Sequence, residues 1–147
     1  MKILIVEDEE SCSILVRRFL APLATSVHYT DKLSEALSLC AKLQFDLIVL
    51  DLILRDSGAE KTIGSIPIMV GFQKKVGVVV MSGAVPEHEY REMAMKAGAN
   101  AYVPKGVDFG ADALYVAVAA ATWQHGNGDP ASRIEHQTEL LQRVAKA

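Results

Sequence analysis

The chain has 147 residues, half of them apolar and 22% charged, which suits one globular domain with room for a short appendage. Its formal net charge of −3 gives no reason to expect nucleic acid or an anionic membrane as a partner. No stretch approaches the ~20 apolar residues of a membrane span. Met1-Lys2 leads straight into a strand rather than a signal peptide, so a cytoplasmic protein is expected.

The apolar run KILIV, Lys2 to Val6, reads as a first strand and stops at Glu7 and Asp8. Glu10 to about Leu20 reads as an amphipathic helix, followed by a weaker strand near Ser26 to Tyr29 and a helix from about Lys32 to Leu43. FDLIVL, Phe45 to Leu50, is the next strand and runs into Asp51. Arg55 to Ser65 is rich in Gly, Ser and charge and reads as a long active-site loop. Ser65 then caps a helix with Pro67 in its first turn, running to about Lys75. IPIMV also has strand character, but VGVVVM, Val76 to Met81, is the better strand and ends at Ser82.

Pro86 opens a helix with Glu87 and Glu89 in its first turn and Lys96 and Gly98 at its end. Tyr90, Met93, Ala94 and Ala97 form its inner face, and Glu87/Arg91 and Glu92/Lys96 pair outside. AYV, Ala101 to Val103, precedes Pro104 and Lys105, and Ala111 to about Gln124 is a further helix. Gly126 to Pro130 is a stop and turn, and Ala131 to about Ala145 a short mixed-charge helix. That tail is far too small for a DNA-binding or catalytic output domain. No internal repeat is visible.

Short apolar strands alternating with helices imply right-handed crossovers and a doubly wound parallel α/β sheet of five strands between five helices. Ligands of such sheets sit beyond the carboxyl ends of the strands. Glu7, Asp8 and Asp51 should therefore converge on one crevice. Clustered carboxylates repel one another unless a cation joins them, and a hard divalent ion takes oxygen ligands. The later strands deliver the Ser82 hydroxyl and the Lys105 ammonium to the same edge. A cation beside a hydroxyl and an ammonium suits a phosphoryl group.

VEDEE after the first strand, LIVLDL around Asp51, VVVMSG ending the fourth strand and AGANAYVPKG around Lys105 together resemble the receiver domain of two-component response regulators. The resemblance spans roughly Lys2 to Gln124, which sets a receiver domain at 1–125 and a helical tail at 126–147. It implies the strand order 2-1-3-4-5. It also implies that Asp51 is the phosphoacceptor, and that Glu7, Asp8, Asp51 and the backbone carbonyl of Ile53 hold Mg²⁺. Ser82 would hydrogen-bond the phosphoryl group, Lys105 would pair with it, and Tyr102 would be the aromatic switch. A histidine kinase or phosphotransfer protein is the implied partner. The implied role is a phosphorylation-dependent signalling switch rather than a dedicated enzyme, with Ser82 moving inward and Tyr102 turning into the vacated space. The chemistry agrees, because a carboxylate attacks an anionic phosphate only with shielding by a metal.

The family's proline after the phosphoacceptor is replaced by Arg55, and Gly58 comes about one residue early. The proline that normally follows the lysine is absent, since Pro104 precedes Lys105 and Gly106 follows it; that puts the cis peptide usual there in doubt. Gly83 stands where alanine is frequent. Other readings are a pseudo-receiver that keeps the fold as an interaction or dimerisation module, an aspartate-nucleophile phosphohydrolase, which would need a substrate-recognition cap or a second catalytic acid, and a flavin protein, which would need a hydroxyl-rich loop after the first strand. Plainer roles also exist: a turn aspartate at Asp51, a solvated helix start at Glu7 and Asp8, a cap at Ser82 and a half-buried strand tyrosine at Tyr102.

Cys12 and Cys40 fall on helical core faces and read as small hydrophobes. His28, His88, His125 and His136 show no ligand spacing. The helix ALYVAVAAATW is apolar on nearly every face, so a second subunit or the Ala131–Ala145 helix is expected to cover it. A homodimer through either helix is one form of that cover.

Overall fold

The computed structural model describes residues 1–123 and 129–147. Five parallel strands, β1 (Lys2–Val6), β2 (Ser26–Thr30), β3 (Leu47–Asp51), β4 (Gly77–Ser82) and β5 (Ala101–Pro104), form one sheet in the order β2-β1-β3-β4-β5. Helices α1 (Glu10–Leu20), α2 (Leu33–Lys42), α3 (Ala59–Gly71), α4 (Glu87–Ala97) and α5 (Ala111–Thr122) connect or follow them, and α6 (Pro130–Ala145) ends the chain. This is the doubly wound α/β fold expected from the sequence.

The strand period of two divides the apolar side chains between two cores. Leu4, Ile48, Leu50, Val78 and Val80 face one layer with Leu33, Ile63, Ile66 and Ala94. Ile3, Ile5, Val49, Val79 and Met81 face the other with Val16, Leu20, Leu114 and Val118. Both faces are thus covered, which is why β1, β3 and β4 carry almost no polar residues before their last positions. Pro104 is tolerated because β5 lies at the edge of the sheet.

The third helix departs from expectation. It starts at Ala59, behind Gly58 as its N-cap, and ends at Gly71, so Pro67 lies inside it. Ser65 caps nothing; it is buried within the helix, and its hydroxyl donates to the Thr62 carbonyl at 2.6 Å. The first turn is instead held by Thr62, whose hydroxyl donates to the Gly58 carbonyl at 2.9 Å and lies 2.9 Å from Ser57 Oγ. An interior proline costs about 3 kcal/mol. Ile63, Ile66 and Met69 are buried on the inner face, at roughly 1.5–3 kcal/mol each, so burial outweighs the broken ladder. Pro67 itself is exposed, on the solvent side of the helix.

α6 lies against the end of α5 and the 3₁₀ turn Ala21–Leu23. Leu140 is buried in the second core, Arg143 Nη2 donates to the Leu23 carbonyl at 3.4 Å, and His136 Nε2 lies 2.9 Å from Thr122 Oγ1. The cover expected over α5 is therefore partial, and Val116, mid-helix, stays 54% exposed. Gln124, His125 and the Gly126–Gly128 part of the expected turn lie outside the described residues. No helix among the described residues is long and apolar enough to cross a membrane.

Candidate functional site

Parallel strands in this order set the carboxyl ends of β1, β3, β4 and β5 along one edge. Glu7 follows β1 directly, and its N–H donates to the Thr30 carbonyl at 3.0 Å, which carries the β1–β2 pairing past the strand. Its side chain is completely buried. Asp51 closes β3 and is 5% exposed. An oxygen from each of Glu7, Asp8 and Asp51 lies within 4.8 Å of the others. Lys105, just after β5, is fixed by its N–H to the Ser82 carbonyl at 2.8 Å. Its Nζ reaches Asp51 Oδ2 at 3.1 Å and Glu7 Oε2 at 2.6 Å. The contact to Asp51 is an aligned hydrogen bond, whereas Glu7 Oε2 has only the charge contact and no aligned donor.

One ammonium among three carboxylates leaves the cluster short of positive charge. Burial, and then the neighbouring Glu7, push the Asp51 carboxyl up from 3.8 to about 7, although Lys105 pulls it back. Burial alone would lower the Lys105 ammonium, but Glu7 and Asp51 outweigh it and hold the group above its ordinary value. A buried acid raised so far, beside an oxygen lacking an aligned donor and within reach of two further carboxylates, suits a hard divalent cation such as Mg²⁺ or Ca²⁺.

Ser82 ends β4 and is buried, and its Oγ accepts from the Ala84 N–H at 2.9 Å. It thus holds a turn in the β4–α4 loop and does not cap α4, which begins at Glu87. Tyr102 pairs with Val80 across β4 and β5 and is 7% exposed. Its hydroxyl is buried without an aligned partner, and the Arg91 guanidinium sits 5.0 Å from the ring centroid. The expected rotation into the interior thus has no outward ring to start from, because the ring is already inside. Ile53 lies two residues past Asp51 in the β3–α3 loop with a half-exposed side chain. The only cis peptide among the described residues is Val85–Pro86, so the Lys105–Gly106 bond is not cis.

Cys12 and Cys40 are free and buried, as expected. Cys12 stands closer to the cluster than its helical pattern suggested: burial and then Glu7 push its thiol up to about 12. The sequence reading passed over Asp56. Its carboxylate accepts from the N–H groups of Leu33 and Ser34 at 2.7 and 3.1 Å and from the Ser34 hydroxyl at 2.9 Å, so it caps α2 from the β3–α3 loop. Arg55 beside it reaches Asp31 at 3.2 Å. The partners lie more than twenty residues apart, and no local pattern announces them.

A family model described as the response regulator receiver domain matches residues 3–118. No curated protein matches significantly. A response regulator from Burkholderia pseudomallei, with a phosphorylated aspartic acid, calcium ion and citrate, is similar at 22% identity and a TM-score of 0.68 over 96% of this chain and 74% of its own. A response regulator from Thermotoga maritima is similar at 20% identity and 0.70, over 84% and 98%. The receiver domain of a sensor histidine kinase from Pseudomonas aeruginosa, with magnesium in its active-site cleft, is similar at 20% and 0.66, over 84% and 98%.

Proposed function

The chain belongs to the response regulator receiver domain family, and from that membership we propose that Asp51 accepts a phosphoryl group from a histidine kinase or phosphotransfer protein. The observation that carries this reading is the cluster itself, with Asp51, Glu7 and Asp8 within 4.8 Å and Lys105 on both buried acids. Glu7, Asp8, Asp51 and the Ile53 backbone carbonyl hold Mg²⁺. When bound, the ion shields two anions that otherwise repel. The receiver from Pseudomonas aeruginosa with magnesium in its cleft supports that choice, and the Burkholderia pseudomallei protein with a phosphorylated aspartate supports the chemistry.

An Asp51 carboxylate oxygen attacks phosphorus, the new P–O bond forms in line with the breaking bond to the donor, and an aspartyl phosphate results. The Lys105 ammonium pairs with the transferred phosphoryl oxygens, where the negative charge of the product lies. Ser82 gives its hydroxyl to a phosphoryl oxygen, which draws it away from Ala84 N and loosens the β4–α4 turn. Tyr102, directly across from Val80, has its buried hydroxyl close enough to Ser82 to sense that movement. The surface of α4, β5 and α5 changes as a result, and slow hydrolysis resets it. Output is through protein contacts in the cytoplasm, with a receiver at 1–125 and a tail at 126–147.

Incubation with acetyl phosphate, with and without Mg²⁺, followed by intact mass tests this reading. One added HPO₃ is expected on the wild type with Mg²⁺, and none on Asp51→Asn or without the ion. An equal adduct on the variant would overturn the assignment.

A further inference from the structure

A cavity of about 510 Å³ lies at the end of the sheet opposite Asp51. Val76, Gly77, Ala120 and Ala121 line it on one side, and Trp123 at the end of α5 and Leu140 of α6 on another. Gly77 is required there: a Cβ would lie 2.4 Å from the Ala121 carbonyl oxygen. The close approach of α5 to β4 therefore leaves a small-residue, apolar surface beside the indole. Lys75, Arg143 and His136 also line the cavity, against one carboxylate, Asp46. Asp46 Oδ2 accepts from the Lys2 N–H at 2.7 Å, and the Lys75 and Arg143 charges outnumber its single carboxylate.

We propose that this cavity binds a small molecule that joins a planar aromatic ring to an anionic group, a carboxylate or a phosphate. Its volume falls within the ~300–1,000 Å³ of small-molecule sites. Small apolar residues beside an indole suit the face of a ring. Arg143 and Lys75 suit the anion, the guanidinium by its planar fork. Five-residue strands rising ~3.3 Å per residue put the cavity about 15 Å from the acid cluster, so its ligand need not touch Asp51. One wall comes from α6, which lies beyond the residues matched to the receiver family. A ligand there clamps the tail helix to α5 and gives the chain a second, chemical input.

Trp123 is the only tryptophan in the sequence, so its emission reports on this cavity. The full chain is titrated with benzoate and with adenosine monophosphate, and with benzamide and adenosine as uncharged counterparts. A saturable emission change is expected with at least one anion, weaker by tenfold or more with its counterpart. The Lys75→Gln/Arg143→Gln double variant, both positions exposed, should weaken it by a similar factor with unchanged circular dichroism. A benzoate response alone assigns a carboxylate ligand, and a nucleotide response alone a phosphate. The proposal is overturned by no saturable response to either anion up to ~10 mM, by equal binding of the counterparts, or by an unaffected double variant.

Discussion

Replacing Asp51 by asparagine removes a buried charge while keeping the shape of the side chain, so the metal-free protein should become more stable. The folded-state value of about 7 lies above the ordinary 3.8, which means the native state holds this proton more tightly than the unfolded chain. Stability is therefore lost as pH rises from about 4 to about 7, and the full cost stands above that window. At about 1.4 kcal/mol per pH unit the ceiling is ~4 kcal/mol at pH 8, of which ~2–3 kcal/mol accumulates between pH 5 and pH 8. Lys105 loses one of its two carboxylate partners in the variant, which takes back part of the gain. A net stabilisation of about 2 kcal/mol at pH 8 is expected, shrinking towards pH 5. Urea unfolding in chelator at both pH values measures it. Saturating Mg²⁺ should then raise the wild type selectively, because the variant lacks the ligand. A variant less stable than wild type at pH 8, or a gap that ignores pH, would refute the electrostatic account of this cluster.

Magnesium affinity should weaken as pH falls below about 7, approaching tenfold per pH unit, because the ion must displace the Asp51 proton; calorimetric titration at pH 6 and pH 8 checks this, and a flat profile contradicts it. Asp56→Ala removes three hydrogen bonds from the start of α2 and should cost ~1 kcal/mol in thermal unfolding, whereas the same change at exposed Glu89 should cost almost nothing. Gly77→Ala forces α5 off β4 and should destabilise by roughly 1–3 kcal/mol, with an accompanying change in Trp123 emission; an unchanged melting curve would show that α5 yields freely.

The sheet was legible because its strands are short, apolar and punctuated. LIVLD and GVVVMS end on Asp51 and Ser82, and KILIV is followed at once by Glu7, so one pattern encodes both a buried strand and a polar edge. Glu7, Asp51 and Lys105 came together on that logic alone. The third helix was misplaced because AEKTIG is polar enough to pass for loop and Pro67 looks like a start signal. Only the depth of Ile63, Ile66 and Met69 shows that the helix runs through the proline. Asp56 escaped because a cap supplied from another loop leaves no trace in spacing. The cover over α5 was half foreseen: apolarity all round shows that something packs there, but not that α6 reaches only its end.

Asp56 and Arg55 together moor the β3–α3 connection to the start of α2 and to Asp31. That connection carries Ile53 and borders the acid cluster, where a loop free to wander would have to be immobilised at every encounter. Here the rim is preorganised, so docking forfeits little chain entropy and the on-rate need not wait for a conformational search. A receiver with proline at this point stiffens its backbone covalently; this chain obtains a comparable rigidity from charge and hydrogen bonds, which leaves it sensitive to salt.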